Sequence, residues 1–289
     1  KKYSLRRIGF TKKPIAKQNM LGNKFKIKIS DLTNNVSQFT EHDKILNFFG
    51  YQRFGSKRPV THLIGKAIIQ GNYQQAIDFL LSYSSKYDSE ENNHYRKLIF
   101  ERKSDLEVID EIPKSMDIEI SVLKSLAKSN DQKTAIREIP LQMRRFYIHA
   151  YQSYIFNKTL SMAFEYEEDL FTPQENDVCY DRTNKLGKFQ NEPDQRLTIP
   201  LVGHSYFTKT RFDYYIQKIL EQEEISPSMF LIKDFQEISV EGGFRNASIQ
   251  CGGFQASSNT IEFQLSRGSY ATIVIREILK PEYPLSCGF

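Results

Sequence analysis

The chain has 289 residues, 39% hydrophobic and 26% charged, with a formal net charge of +5. Those proportions describe a globular protein of one or two domains and exclude a fibrous or low-complexity chain. No apolar run approaches the length of a bilayer span, and no apolar stretch follows a basic start as in a signal peptide, so no membrane partner is expected.

The charge is unevenly spread along the chain. Residues 1–30 hold ten Lys or Arg and no acidic residue, which leaves thirty basic against thirty-five acidic side chains in the rest. A one-sided basic segment is the footprint expected of a polyanion binder, although such runs also occur as solvated tails. Within it, Phe25, Ile27 and Ile29 alternate with Lys24, Lys26 and Lys28. That period of two predicts a strand over 24–29 with one apolar and one basic face, a candidate surface for nucleic acid.

Residues 39–55 read as a short helical or irregular stretch. From His62 to Tyr83 apolar residues recur at helical spacing, and Gly71-Asn72 divides the run into two helices. Residues 90–102 and 117–138 read as charged helices, and Arg144–Phe164 as the longest helix, with a core-facing stripe of Phe146, Tyr147, Ala150, Tyr151, Tyr154 and Ile155. Residues 165–200 look irregular, and a further helix is expected over Arg211–Glu224. Beyond about residue 235, Gly242-Gly243 and Gly252-Gly253 read as hairpin turns between strands. Ile261–Leu265 alternates, and Ala271–Ile275 is a β-branched run read as a strand. Strands at both ends and helices between predict a helical domain inserted into a sheet-containing domain.

The stretch Asn47-Phe-Phe-Gly-Tyr-Gln-Arg-Phe-Gly55 is the richest in chemistry. Aromatic rings stack on nucleobases, Arg grips phosphate, and Asn or Gln bonds to base edges. It reads equally as a turn carrying half-buried rings. Elsewhere, His149 and Ser153 stand four apart on a helix but lack a third group for nucleophilic catalysis. Glu165, Glu167, Glu168 and Asp169 read as a solvated acidic face. The three cysteines, Cys179, Cys251 and Cys287, are far apart and odd in number, which points to a reducing compartment, most simply the cytoplasm. Neither they nor the five histidines show metal-ligand spacing, so no metal or cofactor is expected.

Several ordered blocks resemble the TruD family of pseudouridine synthases, in its archaeal and eukaryotic branch. They are Leu21–Phe25, Asn47–Gly55, Pro59–Gly65, His149–Asn157, Pro200–Gly203, and Gly268–Thr272 with Arg276-Glu277. The resemblance spans essentially the whole chain. It implies an α+β fold: a pseudouridine synthase catalytic domain, an antiparallel sheet with flanking helices, interrupted by a mostly helical insertion. The corresponding boundaries are 1–72 and 241–289 for the catalytic domain and 73–240 for the insertion. It further implies isomerisation of a tRNA uridine, at position 13, with no cofactor, in a monomer or weak homodimer.

By that resemblance Asn47 supports the catalytic aspartate, Phe49 stacks on a flipped-out base and Tyr270 forms another wall. Gln52 and Arg53 contact substrate, Arg53 by orienting a carboxylate or phosphate, and Lys24, Lys26 and Lys28 hold the RNA backbone. The family's aspartate lies in a Gly-x-Lys-Asp block, and no such block occurs here; Lys233-Asp234 stands in another context. The nucleophile is therefore expected upstream of Lys1, in a segment outside this sequence. Gln18 is a smaller departure, where the family tends to have glycine. The competing expectation is a catalytically inert RNA-binding module.

Overall fold

The computed structural model describes residues 4, 6–12, 14, 16, 20–29, 36, 39, 44–102, 107–257 and 259–287. Apolar residues at three- and four-residue intervals form the helical part of the chain. α1 (Thr61–Ile69) buries Ile64, Ala67 and Ile68, and α2 (Tyr73–Ser82) buries Ala76, Ile77, Leu80 and Leu81. Between them Asn72 caps α2 by accepting from the Gln75 N–H at 3.2 Å. α3 (Glu90–Arg102), α4 (Val108–Glu111), α5 (Asp117–Ser129) and α6 (Gln132–Arg137) follow. The expected single helix over 117–138 is two. Asn130 turns left-handed at φ +49°, and the Asp131 carboxylate then caps α6 by accepting from the N–H groups of Lys133 and Thr134. The longest helix, α7 (Leu141–Glu165), lies against α1 because Gly65 has no side chain; a Cβ there would collide with the Tyr147 carbonyl.

Buried charge fastens this bundle. Arg58 donates from Nε to the Tyr83 carbonyl at 3.0 Å and from Nη2 to the carbonyls of Phe79 (2.6 Å) and Leu80. Arg58 and Arg96 each stand 3.7 Å from the one carboxylate of Glu119. Burial, with Arg96 alongside, lowers Arg58 to about 10, so it remains charged at neutral pH.

Residues 165–200, expected to be irregular, contain three strands: β3 (Val178–Tyr180), β4 (Leu186–Lys188) and β5 (Arg196–Leu201). With β6 (Gly243–Asn246) they form an antiparallel sheet in the order β4-β3-β5-β6. Proline and asparagine obscured them because the strands are short. Asp181 builds the β3–β4 turn by accepting from the N–H groups of Thr183 and Lys185, and Pro200 lies beyond the part of β5 that β3 pairs with. The helical block is thus interrupted before α8 (Asp213–Gln222). The acidic face at 165–169 is partly structural as well. Arg211 joins Glu168 at 2.5 Å and the buried Asp177 at 3.0 Å, tying the end of α7 to β3.

A second apolar interior is assembled from the two ends of the chain. β1 (Gly22–Lys28) pairs antiparallel with β9 (Thr260–Ser266), which pairs with β8 (Gly252–Ser257); β2 (Lys44–Leu46) pairs with β7 (Ser248–Gln250). Gly253, at φ +59°, stands at a register shift within β8, a bulge in place of the expected hairpin turn. The β-branched run at 271–275 is helical, as part of α9 (Ala271–Leu279). Coiled, it presents Ile273, Val274, Ile275 and Ile278 together to the apolar side of the sheet, where Ile261, Phe263 and Leu265 wait. That burial outweighs a strand preference spread over only about 1 kcal/mol. Phe48 and Tyr270 pack against both interiors, so the two meet along a seam.

Candidate active site

The seam is where the Asn47–Gly55 stretch runs. β2 ends at Leu46, and the next residue, Asn47, donates its backbone N–H to the Ala247 carbonyl at 2.9 Å. The Asn47 side chain is 4% exposed. Its Nδ2 donates to the Asn246 carbonyl at 2.9 Å, and its Oδ1 accepts from Arg245 Nη2 at 2.6 Å. Arg245 Nε donates to the Asn47 carbonyl at 3.1 Å. The amide is therefore gripped at both ends, in one orientation.

Phe49 is also buried. Its backbone is clamped by Asn157 of α7, which accepts from the Phe49 N–H at 2.8 Å and donates to the Phe49 carbonyl at 3.0 Å. The ring meets Phe156 edge-on at 5.5 Å and Tyr270 at 6.0 Å. The Arg245 guanidinium lies 3.9 Å from the ring centroid and that of Arg53 lies 5.3 Å away. Phe49 is thus flanked by two cations.

Arg53 sits in a short 3-10 turn, Tyr51–Arg53, with its guanidinium also 5.3 Å from the Phe146 ring. Its Nε is buried without a hydrogen-bond partner. No carboxylate among the described residues pairs with it. The neighbouring Gln52 is exposed, and its Oε1 accepts from Thr272 Oγ1 at 3.1 Å. This contact brings the 47–55 loop onto the start of α9, where Tyr270 is the residue before the helix. Gly50 permits the approach, since a Cβ there would press on Gln52, Tyr270 and Thr272.

The structure therefore brings Asn47, Phe49, Gln52, Arg53 and Tyr270 together. Lys24, Lys26 and Lys28 lie apart from them, on the exposed side of β1, as the alternation requires. Two of these lysines reach the same carboxylate: Lys26 Nζ is 2.7 Å and Lys24 Nζ 3.7 Å from Glu262. Gln18 lies outside the described residues.

Beside Phe49 opens a recess of about 250 Å³ lined by Phe48, Phe54, Tyr154, Asn157, Lys158 and Arg276. A wider groove of about 590 Å³ shares Phe48 and Ser161 with it but carries none of the residues gathered around Arg245. His149 and Ser153 do not pair: Ser153 Oγ donates to the His149 backbone carbonyl at 2.7 Å. Asp234 is occupied by Lys133 and by the Tyr73 hydroxyl. Among the described residues no group of three or more His, Cys, Asp or Glu could hold a metal ion.

Arg245 and Asn157 are the two residues whose importance the sequence did not disclose. Arg245 stands in Gly242-Gly243-Phe-Arg-Asn246, which reads as a glycine turn, and Asn157, the last residue of the His149–Asn157 block, stands inside a helix that reads as core. The signal was polar groups beside aromatic ones, Phe-Arg-Asn and Phe-Asn, echoing Asn47-Phe-Phe. Burial pushes Arg245 down to about 10, the Tyr270 hydroxyl opposing and Arg53 reinforcing the shift. It stays a cation at neutral pH.

No helix among the described residues is long and apolar enough to cross a membrane. The family model described as tRNA pseudouridine synthase D (TruD) matches residues 1–278. A protein of Archaeoglobus fulgidus named "Probable tRNA pseudouridine synthase D" is 31% identical over 95% of this chain and 72% of its own length. One of the same name from Pyrobaculum islandicum is 32% identical over 96% of this chain and 68% of its own. A solved structure from Methanosarcina mazei, assigned to tRNA pseudouridine synthase D, superimposes with a TM-score of 0.80 at 27% identity, covering 96% of this chain and 73% of that one. The architecture, the ordered motif blocks and these likenesses agree, and the chain belongs to the tRNA pseudouridine synthase D (TruD) family.

Proposed function

We propose that the chain isomerises a uridine in tRNA, at position 13, to pseudouridine, with the base held at the seam between the two interiors. The observation that carries the placement is the convergence of Asn47, Phe49, Arg53 and Tyr270, the first and last more than two hundred residues apart, around a guanidinium with no carboxylate partner among the described residues.

Isomerisation breaks the N1–C1′ bond of uridine, turns the freed uracil, and joins C5 to C1′ with loss of the C5 hydrogen. None of those atoms is reachable in a stacked duplex, so the nucleotide is flipped out. Phe49, buried in this structure, stacks on the base only once its ring is uncovered, and Tyr270 forms another wall; such stacking is worth about 1–3 kcal/mol per base. Arg53 takes a phosphate or carboxylate, and Gln52 borders the substrate. Asn47 supports the carboxylate that acts on the ribose, supplied by the family's Gly-x-Lys-Asp block, which these 289 residues do not contain. Residues 1–72 and 241–289 form the catalytic domain and 73–240 the insertion. Lys24, Lys26 and Lys28 steady the RNA backbone outside the site. The enzyme works in the cytoplasm as a monomer or weak homodimer, without metal or cofactor.

The test gives protein that includes the family's Gly-x-Lys-Asp block a tRNA transcript carrying [5-³H]uridine, because C–C bond formation expels the C5 hydrogen. Tritium released into water, with the modified residue mapped to position 13, is the expected result. Tight tRNA binding without tritium release would leave the inert RNA-binding reading in its place. Phe49 is probed with Phe49→Leu, since alanine in a buried ring's place costs about 3–5 kcal/mol of stability and confuses the readout. Leucine fills the space without a π face, so turnover falls at least tenfold while tRNA affinity holds.

A further inference from the structure

We infer that Arg245 is a positioning residue of the isomerisation, fixing Asn47 as a hydrogen-bond donor and locking Phe49 and the turn before Tyr270 into one rigid wall. The inference rests on the proposed roles of Asn47 and Phe49 and extends them to a residue outside the motif blocks.

The geometry carries it. Arg245 donates from Nε to the Asn47 carbonyl (3.1 Å), from Nη2 to Asn47 Oδ1 (2.6 Å) and from Nη1 to the Gly268 carbonyl (3.0 Å). The planar group lies 3.9 Å from the centroid of the Phe49 ring. One side chain thus ties the 47–55 loop, β6 and the 268–270 turn, three segments that meet only in the folded chain.

The acceptors are all neutral, and no described carboxylate forms an ion pair with Arg245. Burying a cation without a counter-ion costs several kcal/mol, and an apolar residue of similar volume would fill such a place more stably. The contacts also have a direction. With Oδ1 taken by Arg245, the Asn47 amide cannot turn over, and Nδ2 keeps one hydrogen on the Asn246 carbonyl. Its second hydrogen has no partner among the described residues and is presented in a fixed direction to an incoming oxygen. Arg245 thus determines which end of Asn47 faces the chemistry.

The test compares R245K, N47A and the double variant in tritium release from [5-³H]uridine tRNA. Lysine keeps the charge, but one ammonium cannot serve three acceptors in these directions and cover the ring as well. R245K is expected to lower kcat at least 100-fold, with KM for tRNA within threefold of wild type and Tm within a few degrees. The double variant should be no slower than the slower single variant, because both act through one amide. R245K turnover within threefold of wild type would overturn the inference, as would losses that multiply in the double variant. Should R245K unfold, N47D decides. It leaves Arg245 an oxygen to bond while removing the Nδ2 donor, so a 100-fold loss of kcat is expected and wild-type turnover overturns the inference. Wild-type protein that carries the family's Gly-x-Lys-Asp block and still releases no tritium would fail the proposed function itself, and this inference with it.

Discussion

The two interiors of this protein are built on opposite plans. The helical one is more local: α1 and α2 share a capped turn, α5 and α6 are separated by two residues, and α1 meets α7 at Gly65 against Tyr147, about eighty positions on. The sheet interior is remote, since β1 pairs residue for residue with a strand some 240 positions further on, Gly22 opposite Ser266 and Lys28 opposite Thr260. Local contacts form at little loop-closure cost, while remote ones need the rest of the chain in place. The active-site loop runs where the two meet, and its residues are held from both sides. The seam is therefore precise only when both interiors are complete.

The strongest challenge to that comparison is to damage each interior separately. Phe263→Ala, at a fully buried ring in β9, should cost about 3–5 kcal/mol. Arg211→Ala should cost a similar amount, because it leaves the buried Asp177 without its cation. Calorimetry then reads the coupling: both variants should lower a single transition, and two separate transitions would show interiors that fold independently.

Acid exposes a smaller difference. His62 lies between Phe54 and Tyr154 with Nδ1 unpartnered, and burial, partly opposed by Glu223, pushes its imidazole down to about 4. The unfolded chain takes up that proton near pH 6.5. Between pH 6.5 and 4 the unfolded state thus binds more protons, and stability falls as pH falls, by at most about 3 kcal/mol. Urea midpoints at pH 7 and pH 4.5 measure the loss, and His62→Phe should remove most of it. An unchanged loss in that variant would assign it to the carboxylates.

Asn157→Ala should cost about 1–3 kcal/mol by leaving the Phe49 N–H and carbonyl unpaired, and kcat should fall further than stability alone explains. Least of all should be felt on the exposed side of β1. Reversing Lys24, Lys26 and Lys28 to Glu is expected to shift stability by under about 1 kcal/mol. It should nonetheless weaken tRNA binding and flatten its dependence on salt. An unaltered salt slope would remove that strand from the RNA path.

Much of this was legible in the amino acids. Helices appear where the 3.6-residue stripe is long, as at Arg144–Phe164, which lies within Leu141–Glu165. The alternating strand at Phe25–Ile29 and the aromatic-amide loop at 47–55 were equally plain, because each pattern is a property of consecutive residues. Two kinds of feature were not. Short strands such as Val178–Tyr180 offer too few residues for a period to show. The β-branched run at 271–275 obeyed the sheet it covers instead of its own preference.

The sequence by itself determined the periodicities, the turn chemistry and the family, since those are written in neighbouring residues and in the order of motif blocks. Only the tertiary structure decided that Asn47 faces Arg245, that Phe49 lies beneath the same guanidinium, and that Gly268 completes the lock. The first two contacts join residues about two hundred positions apart, and the third joins residues 23 apart. No local pattern encodes a distance between them; it arises only when both interiors close around the Arg245 guanidinium.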